Sequence, residues 1–84
     1  MAVILGNHIY VTVKLNEAND PYKLLLNINR QIKIGDIYRG ISNVNRNFTQ
    51  SFLFELLDTT GFEIITFEKI GVTIIFISKK VDNR

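Results

Sequence analysis

The apolar residues of this chain switch period along its length, and the switches dictate alternating strands and helices. Ile9, Val11, Val13 and Leu15 alternate with Tyr10, Thr12 and Lys14. A two-residue period rich in β-branched side chains predicts a half-buried strand. Leu24, Leu25, Ile28 and Ile32 then recur at helical spacing, as do Phe52, Leu53, Leu56 and Leu57 further on. Ile37 to Ile41 predicts a short strand between the two helices. Phe62 to Glu68 and Val72 to Lys79 predict two more, joined by Lys69-Ile70-Gly71 with a positive φ expected at Gly71. The order is strand, helix, strand, helix, strand, strand. In 84 residues this makes one domain spanning the chain. The simplest way to bury both helical stripes is an α+β fold: a two-layer α/β sandwich with two helices on one face of a four-stranded mixed sheet.

Boundary residues support the order. Asp20 fits a helix N-cap and Pro21 the first helical position, where proline has no amide to leave unbonded. Asn27 and Asn29 are poor helix formers, so packing must hold that helix. Gly35-Asp36 ends the unit, and Ser42 to Asn47 reads as a polar loop. The second helix is expected over Phe48 to Thr59, with Gly61 as its left-handed stop. Gly6-Asn7 is a candidate tight turn that would fold residues 2–5 into a short extra strand. Val81 to Arg84 reads as a polar tail.

Composition excludes several classes. Hydrophobic residues are 46% of the chain and charged ones 21%, a globular rather than a disordered balance. There is no cysteine, hence no disulfide framework, no thiolate nucleophile and no cysteine metal site. Met1 to Leu5 lacks the basic lead and cleavage pattern of a signal peptide, and no apolar run reaches the ~20 residues of a membrane span. Cytoplasmic residence is the default expectation. The net charge of +2 comes from the first half, but its cations are dispersed, as on an ordinary solvated surface.

The remaining polar residues assemble no catalytic site. His8 is the only histidine and cannot hold a metal alone. Asp20 has neither a second carboxylate nor a histidine placed to work with it. Gly35 and Gly40 form no phosphate-binding loop, and Ser42, Ser51 and Ser78 have no base at recognisable spacing. No catalytic residue, metal or cofactor is expected.

Four local patterns, taken in order, resemble a known family. Pro21 opens a helix with Leu24 and Leu25 behind it. Gly35-Asp36 leads a strand. An aromatic-rich helix ends in Thr60-Gly61 and runs into Phe62-Glu63-Ile64-Ile65. The last strand ends in Ser78-Lys79-Lys80. Over residues 9–80 the chain is similar to the TusA/SirA-like sulfur carriers, which share this element order. The resemblance implies a binding turn at Asp20, Pro21, Tyr22 and Lys23, where the family has its reactive Cys-Pro-x-Pro. Here its cysteine falls on Asp20, or on Ala18 in a gapless register, and its second proline on Lys23. The stretch to Gly35 is about two residues short. A cysteine at a helix N-terminus gains thiolate character from the dipole and free amides. An aspartate there can cap or pair but holds no persulfide. The resemblance therefore implies a non-catalytic relative that acts by protein–protein interaction.

The sheet points the same way. Phe62 to Phe67 and Val72 to Ile77 are apolar on both sides, whereas a sheet with one solvated face should alternate cleanly. The outward set is expected to include Tyr10, Ile65, Phe67, Ile74 and Phe76, covered by a protein partner, by a second copy in a homo-oligomer or by the N-terminal segment, or left as tolerated exposure. A small nucleic-acid-binding module is the alternative. No aromatic RNA-binding strand motif and no GxxG loop favours it. An enzyme would need a partner to supply the reactive group.

Overall fold

The computed structural model describes the backbone of residues 2–5 and 8–11 and the whole of 13–84. Strands β1 (Ala2–Leu5) and β2 (His8–Val11) precede helix α1 (Pro21–Gln31). Strand β3 (Ile37–Asn43), helix α2 (Gln50–Thr59) and strands β4 (Phe62–Ile70) and β5 (Thr73–Lys80) follow. The fold is α+β. Strands β3, β5 and β4 form a three-stranded antiparallel sheet with β5 in the centre. Beyond β3 the ladder continues through β2, parallel to β3, and then through β1 as an antiparallel edge. The sheet therefore has five strands instead of the four expected, because residues 2–5 extend it in its own plane. The same placement removes the N-terminal segment as a cover for the sheet face. The Gly6-Asn7 turn and Thr12 lie outside the described residues.

Both helices bury their apolar stripes in one core. Leu25, Ile28 and Ile32 from the first helical segment meet Leu53, Leu56 and Leu57 from α2 against Tyr38, Phe62, Ile74 and Phe76 of the sheet. The Tyr38 ring stands edge-on to Phe76 at 5.6 Å and tilted to Phe62 at 5.3 Å. Such aromatic pairs add about 0.5–1.5 kcal/mol beyond burial. Gly40 is where the sheet yields space to these rings. An added Cβ would lie 2.8 Å from the Tyr38 hydroxyl and inside contact distance of the Phe76 ring.

The alternating pattern over 9–15 ends early as a strand. Leu15 instead enters a one-turn 3-10 helix, Leu15–Glu17, and is fully buried. The cause is tertiary: Asn16 Oδ1 accepts the Asn43 amide at 2.8 Å, which pins this turn on the end of β3. Helix α2 begins later than expected. Its N-cap is Thr49, whose hydroxyl accepts the Phe52 amide at 3.1 Å, while Asn45 Oδ1 accepts the amides of Asn47 and Phe48 in the loop before it.

A polar clasp closes the other end of α1. Asn29 is fully buried on the helix. Its Nδ2 donates to the carbonyls of Thr60 and Asp82, both at 2.8 Å, and its Oδ1 accepts the Arg84 amide at 3.1 Å. The Lys80 ammonium, also buried, donates to the carbonyls of Asn29 at 2.6 Å and Ile32 at 2.7 Å. Residues 81–84, read as a polar tail, are therefore docked. Gly61 permits this approach. Its φ is +90°, and a Cβ there would sit 2.6 Å from both Asn29 Nδ2 and the Asp82 carbonyl.

Three stability outcomes follow, each measured by thermal or denaturant unfolding. Gly40→Ala should destabilise by about 1–3 kcal/mol through overpacking. Lys80→Met should cost about 1–3 kcal/mol, because the carbonyl of Ile32 loses the donor that Lys80 supplies and that of Asn29 keeps only the long bond from the Ile32 amide. Tyr38→Phe should be neutral or stabilising, since the buried Tyr38 hydroxyl has no hydrogen-bond partner. Burial also pushes the Tyr38 phenol well above its ordinary range. Its neutral form is favoured only in the folded state, so stability is intact below pH ~10 and falls as pH rises above it. The phenylalanine variant should lose less stability in that alkaline range.

Candidate functional site

Two surfaces carry the residues singled out by sequence. The first is the turn that starts α1. Asp20 is its N-cap: Oδ1 accepts the Lys23 amide at 3.0 Å, and the Asp20 carbonyl accepts the Leu24 amide at 3.0 Å. Pro21 occupies the first turn, half-buried. The Tyr22 and Lys23 side chains are exposed. Ala18 lies just before, closing the 3-10 turn. At the helix N-terminus itself stands a carboxylate already engaged by backbone, in an ordinary capping role.

The second surface is the outer face of the sheet. Residues opposite one another on adjacent strands share a face, so the ladders give a grid. Ile74 and Phe76 are fully buried against the helices, and their β3 partners Ser42 and Gly40 are buried too. The other parity of β5 therefore faces out. Across β3, β5 and β4 the outer rows are Ile37, Lys79 and Glu63; Arg39, Ile77 and Thr66; Ile41, Ile75 and Glu68; and Asn43, Thr73 and Ile70. Ile65 is the extra residue of a bulge between Ile64 and Thr66 and is 52% exposed. No described helix lies over these rows. A groove of about 560 Å³ runs through their centre, lined by Arg39, Thr66, Phe67, Glu68, Ile75 and Ile77.

This grid corrects part of the expected outward set. Ile74 and Phe76 are core residues. Phe67 pairs with Phe76 on the helix side, where its ring packs at 5.0 Å on Phe54 of α2, yet at the sheet edge it stays 43% exposed and also borders the groove. Ile65 is exposed as expected. Tyr10 is opposite Arg39 in the β2–β3 ladder, and its side chain, like that of His8, lies outside the described residues. The central outward residues, Ile75 and Ile77, are absent from that set. Both parities of β5 are apolar, so periodicity alone cannot say which faces out. Lys80 carried the available signal: a lysine two positions from Ser78 and four from Phe76 joins the inward parity once it caps a helix.

The face is balanced in charge. Arg39 and Lys79 stand among Glu63 and Glu68, and Glu63 is directly opposite Lys79. No described helix is long and apolar enough to cross a membrane. No family model matches the chain, and no curated protein matches it.

The cap at Asp20 gives a direct expectation. Asp20→Ala should lower stability by about 1 kcal/mol, whereas Asp20→Asn or Asp20→Ser should be nearly neutral, as read by denaturant unfolding. A harmless alanine would show that the carboxylate does not cap in solution.

Proposed function

We propose that this chain is a cysteine-free relative of the TusA-like sulfur carriers that works by binding protein, not by moving sulfur. The observation that carries the reading is the open outer face. An isoleucine pair, Ile75 and Ile77, lies at its centre, with Ile75 40% exposed. Charged residues surround the pair, and both helices lie on the opposite side. Contiguous exposed apolar surface with a polar rim is the usual mark of a protein contact. The chain order from β2 onward supports the kinship: strand, helix, strand, helix, strand, strand, with β2 parallel to β3. Asp20 at the start of α1 supports loss of the chemistry, since a capping carboxylate holds no persulfide.

Nucleic acid fits this face poorly. Two cations share it with two carboxylates, so it offers no positive field for a phosphate backbone.

Sulfur transfer from labelled cysteine by a cysteine desulfurase tests the reading. The chain should stay unlabelled yet reduce labelling of a cysteine-bearing carrier by competing for its docking surface. A double variant, Ile75→Lys with Ile77→Lys, should fold and lose that competition. Thiol-reversible label on the wild-type chain, or no competition from it, defeats the proposal. Asp20→Cys probes the kinship alone. Its thiol should titrate below the ordinary value of ~8.5, as a helix N-terminus demands. A thiol at the ordinary value leaves a binding face with no family behind it.

A further inference from the structure

We infer that the partner for the outer sheet face is a second copy of this chain, packed face to face about a two-fold axis. The inference rests on the binding reading above and names its occupant. The argument is the placement of charge around the isoleucine pair. Arg39 is opposite Ile77 on the β3 side, and Glu68 is opposite Ile75 on the β4 side. One cation and one carboxylate thus occupy diagonal corners of the apolar centre. A two-fold axis in the plane of contact, crossing the line between those corners at right angles, exchanges them. It sets Arg39 over Glu68 of the second copy and Glu68 over Arg39, while the Ile75–Ile77 pairs meet in the middle. An isologous contact requires this kind of self-complementarity. Arg39 already engages a neighbour within its own chain. A guanidinium with five donors can serve both partners.

One alternative route to self-association is through the edge of β4, and the sequence blunts it. The bulge between Ile64 and Thr66 breaks the edge into short pieces. Antiparallel pairing of the longer piece, 66–70, with its own copy puts Glu68 directly against Glu68. Like charges opposite one another destabilise such a pair. On the face the same axis brings Glu63 close to Glu63 of the second copy, but Lys79, directly opposite Glu63 on the adjacent strand, offsets that charge.

Size sets the strength. With strands ~4.8 Å apart and a rise of ~3.3 Å per residue, the sheet offers ~500 Å² per copy, or ~1,000 Å² between two. That is the lower bound of specific interfaces, so the dimer belongs with the weak, transient ones.

Sedimentation equilibrium of the full chain over a concentration series tests this. Wild type should dimerise. Arg39→Glu and Glu68→Arg should each weaken the dimer by about tenfold, because each reverses two symmetric pairs at once. The double reversal, Arg39→Glu with Glu68→Arg, should restore wild-type affinity. An equimolar mixture of the two single variants should form a heterodimer where neither associates alone. Unchanged thermal unfolding checks that each variant folds. A wild-type chain that stays monomeric overturns the inference and leaves the face to a different protein. So does a double reversal as weak as the single variants, or a mixture that fails to associate. Both tests read the same face, but a chain that dimerises without competing refutes the sulfur-carrier reading alone, and one that competes while monomeric refutes this inference alone.

Discussion

The buried ammonium of Lys80 is the constraint from which the rest of the arrangement follows. Removing a lysine from water is costly unless its donors are met. Here they are met by the carbonyls of Asn29 and Ile32, at the C-terminal end of α1. Those carbonyls are among the four at a helix end that lack the regular intrahelical donor, the Ile32 amide reaching Asn29 only at 3.5 Å, and the helix dipole makes that end negative. A cation there answers both deficits. Asn29 completes the clasp by holding the end of α2 at Thr60 and the chain terminus at Asp82 and Arg84. Two helices, the central strand and the terminus are thereby tied at one point.

That point also decides what the molecule shows to its surroundings. Side chains on a strand alternate, so placing Lys80 inside places Ser78, Phe76 and Ile74 inside with it. Ile75, Ile77 and Lys79 must then face out. Strand β5 reads apolar on both sides, and hydrophobicity alone would accept either parity. A one-residue slip would expose Phe76 and Ile74 and strand Lys79 against the helices. The ammonium on the helix end removes that choice. The open isoleucine face is thus a consequence of a polar contact on the opposite side of the sheet.

Much of this was legible beforehand, in proportion to how local its cause was. The α1 cap at Asp20-Pro21, the Gly61 stop and the two helical stripes were readable because each rests on residues a few positions apart. The glycine expected at positive φ in the last hairpin, Gly71, is found there with φ +60°. The early end of the first strand was not readable. It depends on Asn16 reaching the Asn43 amide across the chain, and it turns an alternating residue, Leu15, into core. The tail was misread for the same reason, since its polar residues satisfy Asn29 from more than fifty positions away. Asn29 is a weak helix former, and its amide is worth more as a clasp than its propensity costs. At the open face the existence of outward apolar residues was legible. Their identities depend on the parity of β5, which Lys80 signals only once its helix contact is known, and on the bulge in β4, which leaves no local mark.

The bulge between Ile64 and Thr66 links edge and face. An extra residue in an edge strand shifts the parity of everything after it. Phe67 consequently turns inward to Phe54, while Thr66, Glu68 and Ile70 join the outer rows. Without the shift, Phe67 would continue the outward line from Glu63 and Ile65, and Glu68 would face the helices. The bulge therefore acts twice. It spoils β4 as a template for another strand, and it carries the carboxylate of Glu68 round to the face where Arg39 already stands. Association through an edge and association through a face compete for the same exposed strand. Under the proposed dimer, a device that weakens the first while supplying charge to the second would bias the chain toward a contact of defined geometry.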